Sequence, residues 1–312
     1  MKQYTHAWIA MMAVKRLEKA AIPVEDKPFA ASLVRWFKDH KDDVITGAWY
    51  PDAVIKDMSN GHILKLMPDP AAPPVKWRKL PGTYGLYKTG KLSTLYGQPY
   101  RVEMGNLPDR CEALTHSIID NLKMFEREHK GSVILPSEQH IAALFFMLSH
   151  YLADAHMPLH CDARRFSEKK NVHADIEGDW DDRVRSSYSI DMDNIRFYYD
   201  RDGNPEKKTD VTDPVMDHVE AQLAVRPFDR LYGPDNNNTW DFMSAVTQFS
   251  YTTAYELVPA GFDTANGDFN ALITLITAAK FEELSKVILT DAVDSVAKVW
   301  LRAWRRYEEW RG

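Results

Sequence analysis

One stretch constrains this chain more than any other: Leu148-Ser-His-Tyr-Leu-Ala-Asp-Ala-His-Met-Pro-Leu-His160, which continues directly from the apolar run Ile141-Ala-Ala-Leu-Phe-Phe-Met-Leu148. The run is too long for a typical strand and has no internal turn signal, so it predicts a buried helix starting near Pro136-Ser137. In such a helix His150 and Asp154 stand at i and i+4, on one face. Pro158 ends the helix, and the chain just beyond it brings in His160. An imidazole and a carboxylate directed into a packed interior are costly unless something pairs them, and a divalent cation does so. A lone His is more often solvated or hydrogen-bonded in a core. Here three His and one Asp fall within eleven residues, and His173-Ala-Asp-Ile-Glu177 repeats the four-residue His-to-acid spacing. With His160 between them, the two pairs make a ligand set for more than one metal.

On these residues the chain resembles the zinc-dependent phospholipases C and the single-strand-specific zinc nucleases that share their fold. That pattern runs His-x3-Asp-x5-His, then His-x3-Glu in the phospholipases or His-x3-Asp in the nucleases. Here it reads His150, Asp154, His160, His173 and Glu177. The family also uses an N-terminal amino group, a nearby His, an Asp in a Trp-Pro-Asp-like turn and a further His. The matching positions are Met1, His6 in Thr5-His-Ala-Trp-Ile9, Asp52 in Gly47-Ala-Trp-Tyr-Pro-Asp52, and His62. The motifs cover roughly residues 1–180.

The resemblance implies an all-α, multi-helix fold forming one domain over residues 1–312, and a site of two or three zinc ions. Asp52, His62, His150 and Asp154 would hold one ion, and His160, His173 and Glu177 a second. Met1, His6 and Asp154 would hold a third, with Asp154 bridging. His156 is expected to orient a ligand by hydrogen bond. The implied activity is phosphodiester hydrolysis, a metal-bridging water attacking phosphorus while Asp52 orients or deprotonates it. Glu177 and the Thr5–Ile9 segment lean towards the phospholipase branch. A single-strand nuclease or 3'-nucleotidase on the same trinuclear site is the alternative, although Ile63 stands where that branch typically has an aromatic. A non-catalytic metal-binding protein is the third reading. The expected partner is a phospholipid head group or a nucleotide, with transient contact to a membrane surface.

Composition narrows the classes. A net charge of −6 argues against an extended basic groove and a stable nucleic-acid complex, but not against a phosphate substrate at a cation cluster. No apolar run reaches transmembrane length. No signal peptide is visible, so a cytoplasmic location is expected for the chain as written, and a secreted or periplasmic one if a leader was trimmed. Cys111 and Cys161 make no disulfide framework. Cys161 is expected to be a small core residue.

Along the chain, helices are expected over Thr5–Ala20, Pro28–His40, from Pro108 past Phe125, from Pro214, over Trp240–Leu257 behind Asn238 or Thr239, and through most of Phe269–Trp310. Asp52 is expected in a turn before an apolar helix. Residues 68–108 form a Pro- and Gly-rich excursion with a short hairpin through Tyr84–Leu95. Its aromatics, Trp77, Tyr84, Tyr87, Tyr96 and Tyr100, are expected to pin the excursion to the body, the alternative being an aromatic lip for a substrate. A second hairpin is expected near residues 194–203. His116 and His129 are expected to be solvated, and His218 has no visible partner.

Overall fold

In the computed structural model, which describes residues 1–57, 60–127, 135–229 and 238–312, the chain opens with α1 (Gln3–Lys19), α2 (Lys27–Asp39) and α3 (Val44–Tyr50). A π turn, Pro51–Ile55, follows α3, and then β1 (Leu64–Pro68), α4 (Gly85–Leu92) and β2 (Tyr100–Gly105). Next come α5 (Leu107–Glu126), α6 (Glu138–His156) and α7 (Val172–Ser187), with a 3-10 turn at Pro158–His160 between the last two. The rest is β3 (Ile190–Asp191), β4 (Arg196–Phe197), α8 (Pro214–Val225), α9 (Thr239–Leu257), α10 (Phe269–Ile276) and α11 (Ala278–Arg311). The chain is mainly helical, 62% of it, with two small antiparallel sheets among the described residues. No helix among those residues is long and apolar enough to cross a membrane.

The helix α6 is the centre of the packing. Ser137 caps it by accepting from the His140 amide at 3.1 Å. From Leu144 to His156 every residue is buried, as an all-round apolar helix must be. It is surrounded by α1, α3, α5, α9 and α11. The interior is one large cluster that draws apolar side chains from α1 through α11, Trp8, Phe145, Phe146 and Trp300 among the fully buried ones, with a small second cluster at Leu66, Cys161 and Tyr251. The long tail breaks once, at Thr277 (φ 72°), whose hydroxyl then caps α11 by accepting from the Lys280 amide.

Several expectations need correction. Residues 85–92 are helical, not a hairpin, because Asp291 of α11 accepts from the Gly85 and Leu86 amides and supplies the N-terminal cap from another element. The excursion instead closes as a long-range pair, β1 on β2, with Leu66 facing Val102. Near residues 194–203 the chain does turn back, through the single antiparallel bridge of Tyr199 with Pro205, and β3 on β4 is a separate pair just before it. Trp77 and Tyr96 pack on Phe249 of α9 and Tyr84 is fully buried, so the aromatics pin the excursion.

Asp52 also differs from expectation: it lies at the end of a helix, not before one. Gly47 does not break the chain there, because it is where α3 touches α6. A Cβ at Gly47 would sit 2.7 Å from Phe146 Cβ, so only glycine allows that approach. Pro51 then lets the helix widen into a π turn, which ends at Lys56 in the left-handed region (φ 54°). Gly47→Ala should therefore lower unfolding free energy by about 1–3 kcal/mol through overpacking, measured by urea denaturation. An unchanged midpoint would mean that α3 does not depend on this contact.

Candidate metal centre

Each part of the site is held in place by something other than the site itself. Asp181 of α7 accepts from the Tyr4 and Thr5 amides, at 2.9 and 3.0 Å, and so caps the otherwise uncapped start of α1. That capping fixes Met1 and His6. On the far side, the Leu66 amide donates to the Cys161 carbonyl at 2.9 Å and the Ala163 amide to Leu66 at 3.1 Å. This bridge clamps the segment after His160 to the strand after His62. His150 Nδ1 donates to the Ala48 carbonyl at 2.7 Å, which leaves Nε2 as a lone pair.

These devices bring all nine expected ligands to one centre. His62 Nε2 lies 2.9 Å from Asp52 Oδ1 and 2.8 Å from His150 Nε2. His150 Nε2 lies 3.1 Å from Asp154 Oδ2 and 3.6 Å from Asp52 Oδ1, and His62 Nε2 is 3.9 Å from Asp154 Oδ2. The other Asp154 oxygen, Oδ1, faces the Met1 amino group at 3.0 Å, His6 Nε2 at 3.4 Å and His160 Nδ1 at 3.5 Å. Glu177 Oε1 lies 2.8 Å from His173 Nε2, 3.3 Å from His160 Nε2 and 2.8 Å from the Met1 amino group. Two groups, His62-His150-Asp154 and His160-His173-Glu177, each have ligand atoms mutually within 4.8 Å. His6, Asp52 and His150 make a third, overlapping set.

The donor set fits a divalent cation. Four ligands at about 2.0–2.1 Å around a tetrahedral zinc stand about 3.3–3.4 Å from one another. The five distances among Asp52, His62, His150 and Asp154 fall on both sides of that value. Hydrogen bonding accounts for the set poorly: both ring nitrogens of His6, Nδ1 of His62 and His160, and Oδ2 of Asp154 are buried without a hydrogen-bond partner. Buried polar groups without a partner are costly and call for another interaction.

Titration reflects the crowding. Burial alone would raise the Asp154 carboxyl, but the Met1 ammonium, His160, His150 and His6 outweigh it and hold the pKa well below the ordinary value. Glu177 behaves likewise, held down by the ammonium and His173. Burial disfavours the ammonium of Met1, yet Asp154 and Glu177 raise it to about 11. His6 is pushed well below its ordinary value by burial and then by His150. His160 is lowered, chiefly by burial. His62 goes the other way, because Asp52 and Asp154 outweigh its burial.

His156 is a correction. It is fully buried, but Nδ1 donates to the Leu152 carbonyl at 2.9 Å and Nε2 meets Ser295 Oγ of α11 at 3.0 Å, and neither partner is a candidate ligand. Helical geometry turns position 156 away from the face that carries 150 and 154. Asp181, by contrast, was visible only as one acid among several after Glu177; its neighbours Asp179 and Asp182 pair with Arg183 and Arg185. No sequence signal marks a carboxylate that caps a helix about 180 residues away. His116 is exposed on Glu112, and His129 lies outside the described residues.

Burial lowers the His156 pKa to about 4, below the unfolded value of about 6.5. The unfolded chain therefore takes up this proton first, so the stability from a neutral His156 is complete above about pH 6.5. It falls by about 3 kcal/mol as pH drops to about 4. His156→Gln should flatten that part of the pH–stability curve, measured by denaturant titration between pH 7 and 4. Curves of equal slope for the two proteins would rule this out. No family model matches the chain, and no curated protein shows significant similarity to it.

Proposed function

We propose that this chain is a zinc-dependent phosphodiester hydrolase of the phospholipase C type. The observation that carries the reading is the position of Asp154, whose two oxygens face two different groups of nitrogens, while Glu177 shares Met1 and His160 with it and adds His173. Asp52, His62, His150 and Asp154 would hold one ion; His160, His173 and Glu177 would hold another; Met1, His6 and Asp154 would hold the last. Zinc held there would supply positive charge for phosphoryl oxygens and lower the pKa of a water, which is what phosphodiester cleavage chiefly requires.

The chain's own residues divide the remaining work. His150 and Asp154 are closed off from solvent, with side chains 0% and 1% exposed, whereas those of Asp52, Glu177 and His173 are 18%, 13% and 31% exposed. The cluster is thus buried on one side and open on the other. A structural zinc site is closed all round, so this asymmetry favours catalysis over a purely structural role. Asp52 stands at the open edge, where it orients the attacking water and accepts its proton. Between the two substrate classes, a phospholipid head group is favoured: the residue after His62 is Ile63, which offers no ring for a base to stack on.

The test is metal analysis of the purified protein, with hydrolysis of p-nitrophenyl-phosphorylcholine and of single-stranded nucleic acid, with and without chelator. Two or three zinc ions per chain and a chelator-sensitive rate on the choline ester are expected. Fewer than two metals would remove the mechanism, and cleavage of nucleic acid alone would move the chain to the nuclease reading. Asp154→Asn should lower both metal content and rate, the rate by more than about a hundredfold. Full retention of both would end the bridging role.

Asp181→Ala leaves every ligand side chain intact but frees the start of α1. It should cost about 1 kcal/mol as a lost helix cap and selectively weaken the ion assigned to Met1 and His6. Titration with zinc would show this as one weakened equivalent while the other two remain. Three unchanged equivalents would show that α1 needs no such anchor.

A further inference from the structure

His62 is the expected ligand with the least secondary structure behind it. His6, His150, Asp154, His173 and Glu177 stand on α-helices, whereas His62 lies in irregular chain between the π turn and β1. A ligand on such a segment is only as precise as whatever packs against it. The backbone on either side is fixed from the start of α5: the Asn106 amide donates to the Asn60 carbonyl at 2.8 Å and the Leu107 amide to Ile63 at 3.2 Å. These bonds bracket His62 but do not reach its ring.

The ring is met by Tyr151, which follows His150 on α6 and is fully buried. Its ring centroid lies 5.0 Å from that of His62 and 5.5 Å from that of His150. A buried tyrosine hydroxyl needs a partner, and this one donates to Asp57 Oδ2 at 3.0 Å. Asp57 Oδ1 in turn accepts from the Gly61 amide at 3.4 Å, so one carboxylate ties α6 to the residue just before His62. Glycine is required at 61 for this approach, because a Cβ there would stand 2.0 Å from Asp57 Oδ2. Arg110 of α5 lies over the Tyr151 ring, with Nη2 3.4 Å from its hydroxyl and Nε 3.8 Å from Asp57 Oδ2, and balances the acid's charge. Both Asp57 oxygens are thus engaged within the protein, which separates this acid from the nine expected ligands.

We propose that Asp57 and Tyr151 are a positioning pair for His62. Tyr151 supports the face of the imidazole, and Asp57 holds the backbone beside it, so that Nε2 stays turned to Asp52 and His150. The inference rests on the metal centre of the proposed function and extends it to residues that touch no ion. Its consequence is selective. The ion assigned to Asp52, His62, His150 and Asp154 depends on the pair, whereas the one assigned to His160, His173 and Glu177 does not. Groups that orient a metal ligand from outside are typically worth about ten- to a hundredfold in metal affinity.

The test is zinc titration of full-length variants, with the rate on p-nitrophenyl-phosphorylcholine at limiting and at excess zinc. Asp57→Ala and Gly61→Ala should each weaken one zinc equivalent by about ten- to a hundredfold and leave the rest unchanged. Asp57→Asn, whose amide oxygen still accepts from Tyr151, should keep most of the affinity. The rate lost in Asp57→Ala should return at excess zinc, which damage to the fold alone would not allow. In metal-free protein, NMR of labelled rings should show the His62–Tyr151 contact in the wild type and its loss in Asp57→Ala. Wild-type zinc affinity in Asp57→Ala and Gly61→Ala, or a ring contact that survives Asp57→Ala, would overturn the positioning role. A wild-type protein that takes up no zinc would instead remove the hydrolase reading, and the metal-free ring contact would still decide whether this pair places His62.

Discussion

The carboxylate of Asp154 is 1% exposed and lies in the middle of the fold, on the helix that everything else packs around. A buried charge of this kind is tolerated only when paired from several directions. The chain meets that requirement by turning the starts and ends of other elements towards it: the first residue of the chain, the first turn of α1, His62 just before β1, and the 3-10 turn after α6. None of these contacts is local apart from the His150 pair at i and i+4. Packing in this region therefore answers first to the charge at its centre.

Much of that was legible in the residues and some was not. The apolar run into His150 reads as a buried helix because its composition and length leave few other choices, and the four-residue spacings of His and acid then follow from helical geometry. The relation of Asp52 to its helix was misread, because Gly47 carries two meanings. In a sequence it signals a break, whereas here it is the point where Phe146 approaches the backbone of α3. The segment over residues 85–92 was misread for a related reason. Pro81, Gly82, Gly85 and Gly90 favour turns locally, but Asp291, about 200 residues later, supplies the cap that makes the segment helical. Local propensity loses wherever a distant carboxylate satisfies the backbone.

A second buried network underlies the same frame. Asp294 of α11 receives Arg16 of α1 at 3.0 Å and Lys298 at 2.6 Å, and Arg16 also donates to the Leu223 and Arg226 carbonyls at the end of α8. Arg226 in turn joins Asp291. These charges tie α1, α8 and α11 together and, through Asp291, set the start of α4. Removing one member would leave the others buried without a partner, so the cost of the network lies in its incompleteness rather than in any one pair. This is also why the acidic total says little about local sites. The charges that matter are few, buried and fixed.

The two networks differ in one respect that bears on chemistry. Around Asp294 each buried cation has a carboxylate or a carbonyl to meet. Around Asp154 several imidazoles crowd one another: His62 and His150 meet through Nε2 atoms 2.8 Å apart, with His62 left to donate because the proton of His150 is committed to the Ala48 carbonyl. Side chains free to move would turn apart to relieve this, but the Ala48 carbonyl, the Asp181 cap and the Leu66–Cys161 bridge hold them inward. A cluster held this way is preorganised, so a cation that fitted it would meet its donors already in place. Packing around the cluster, rather than the clustered groups themselves, therefore fixes the buried side, while Asp52 and His173 stay at its more exposed edge.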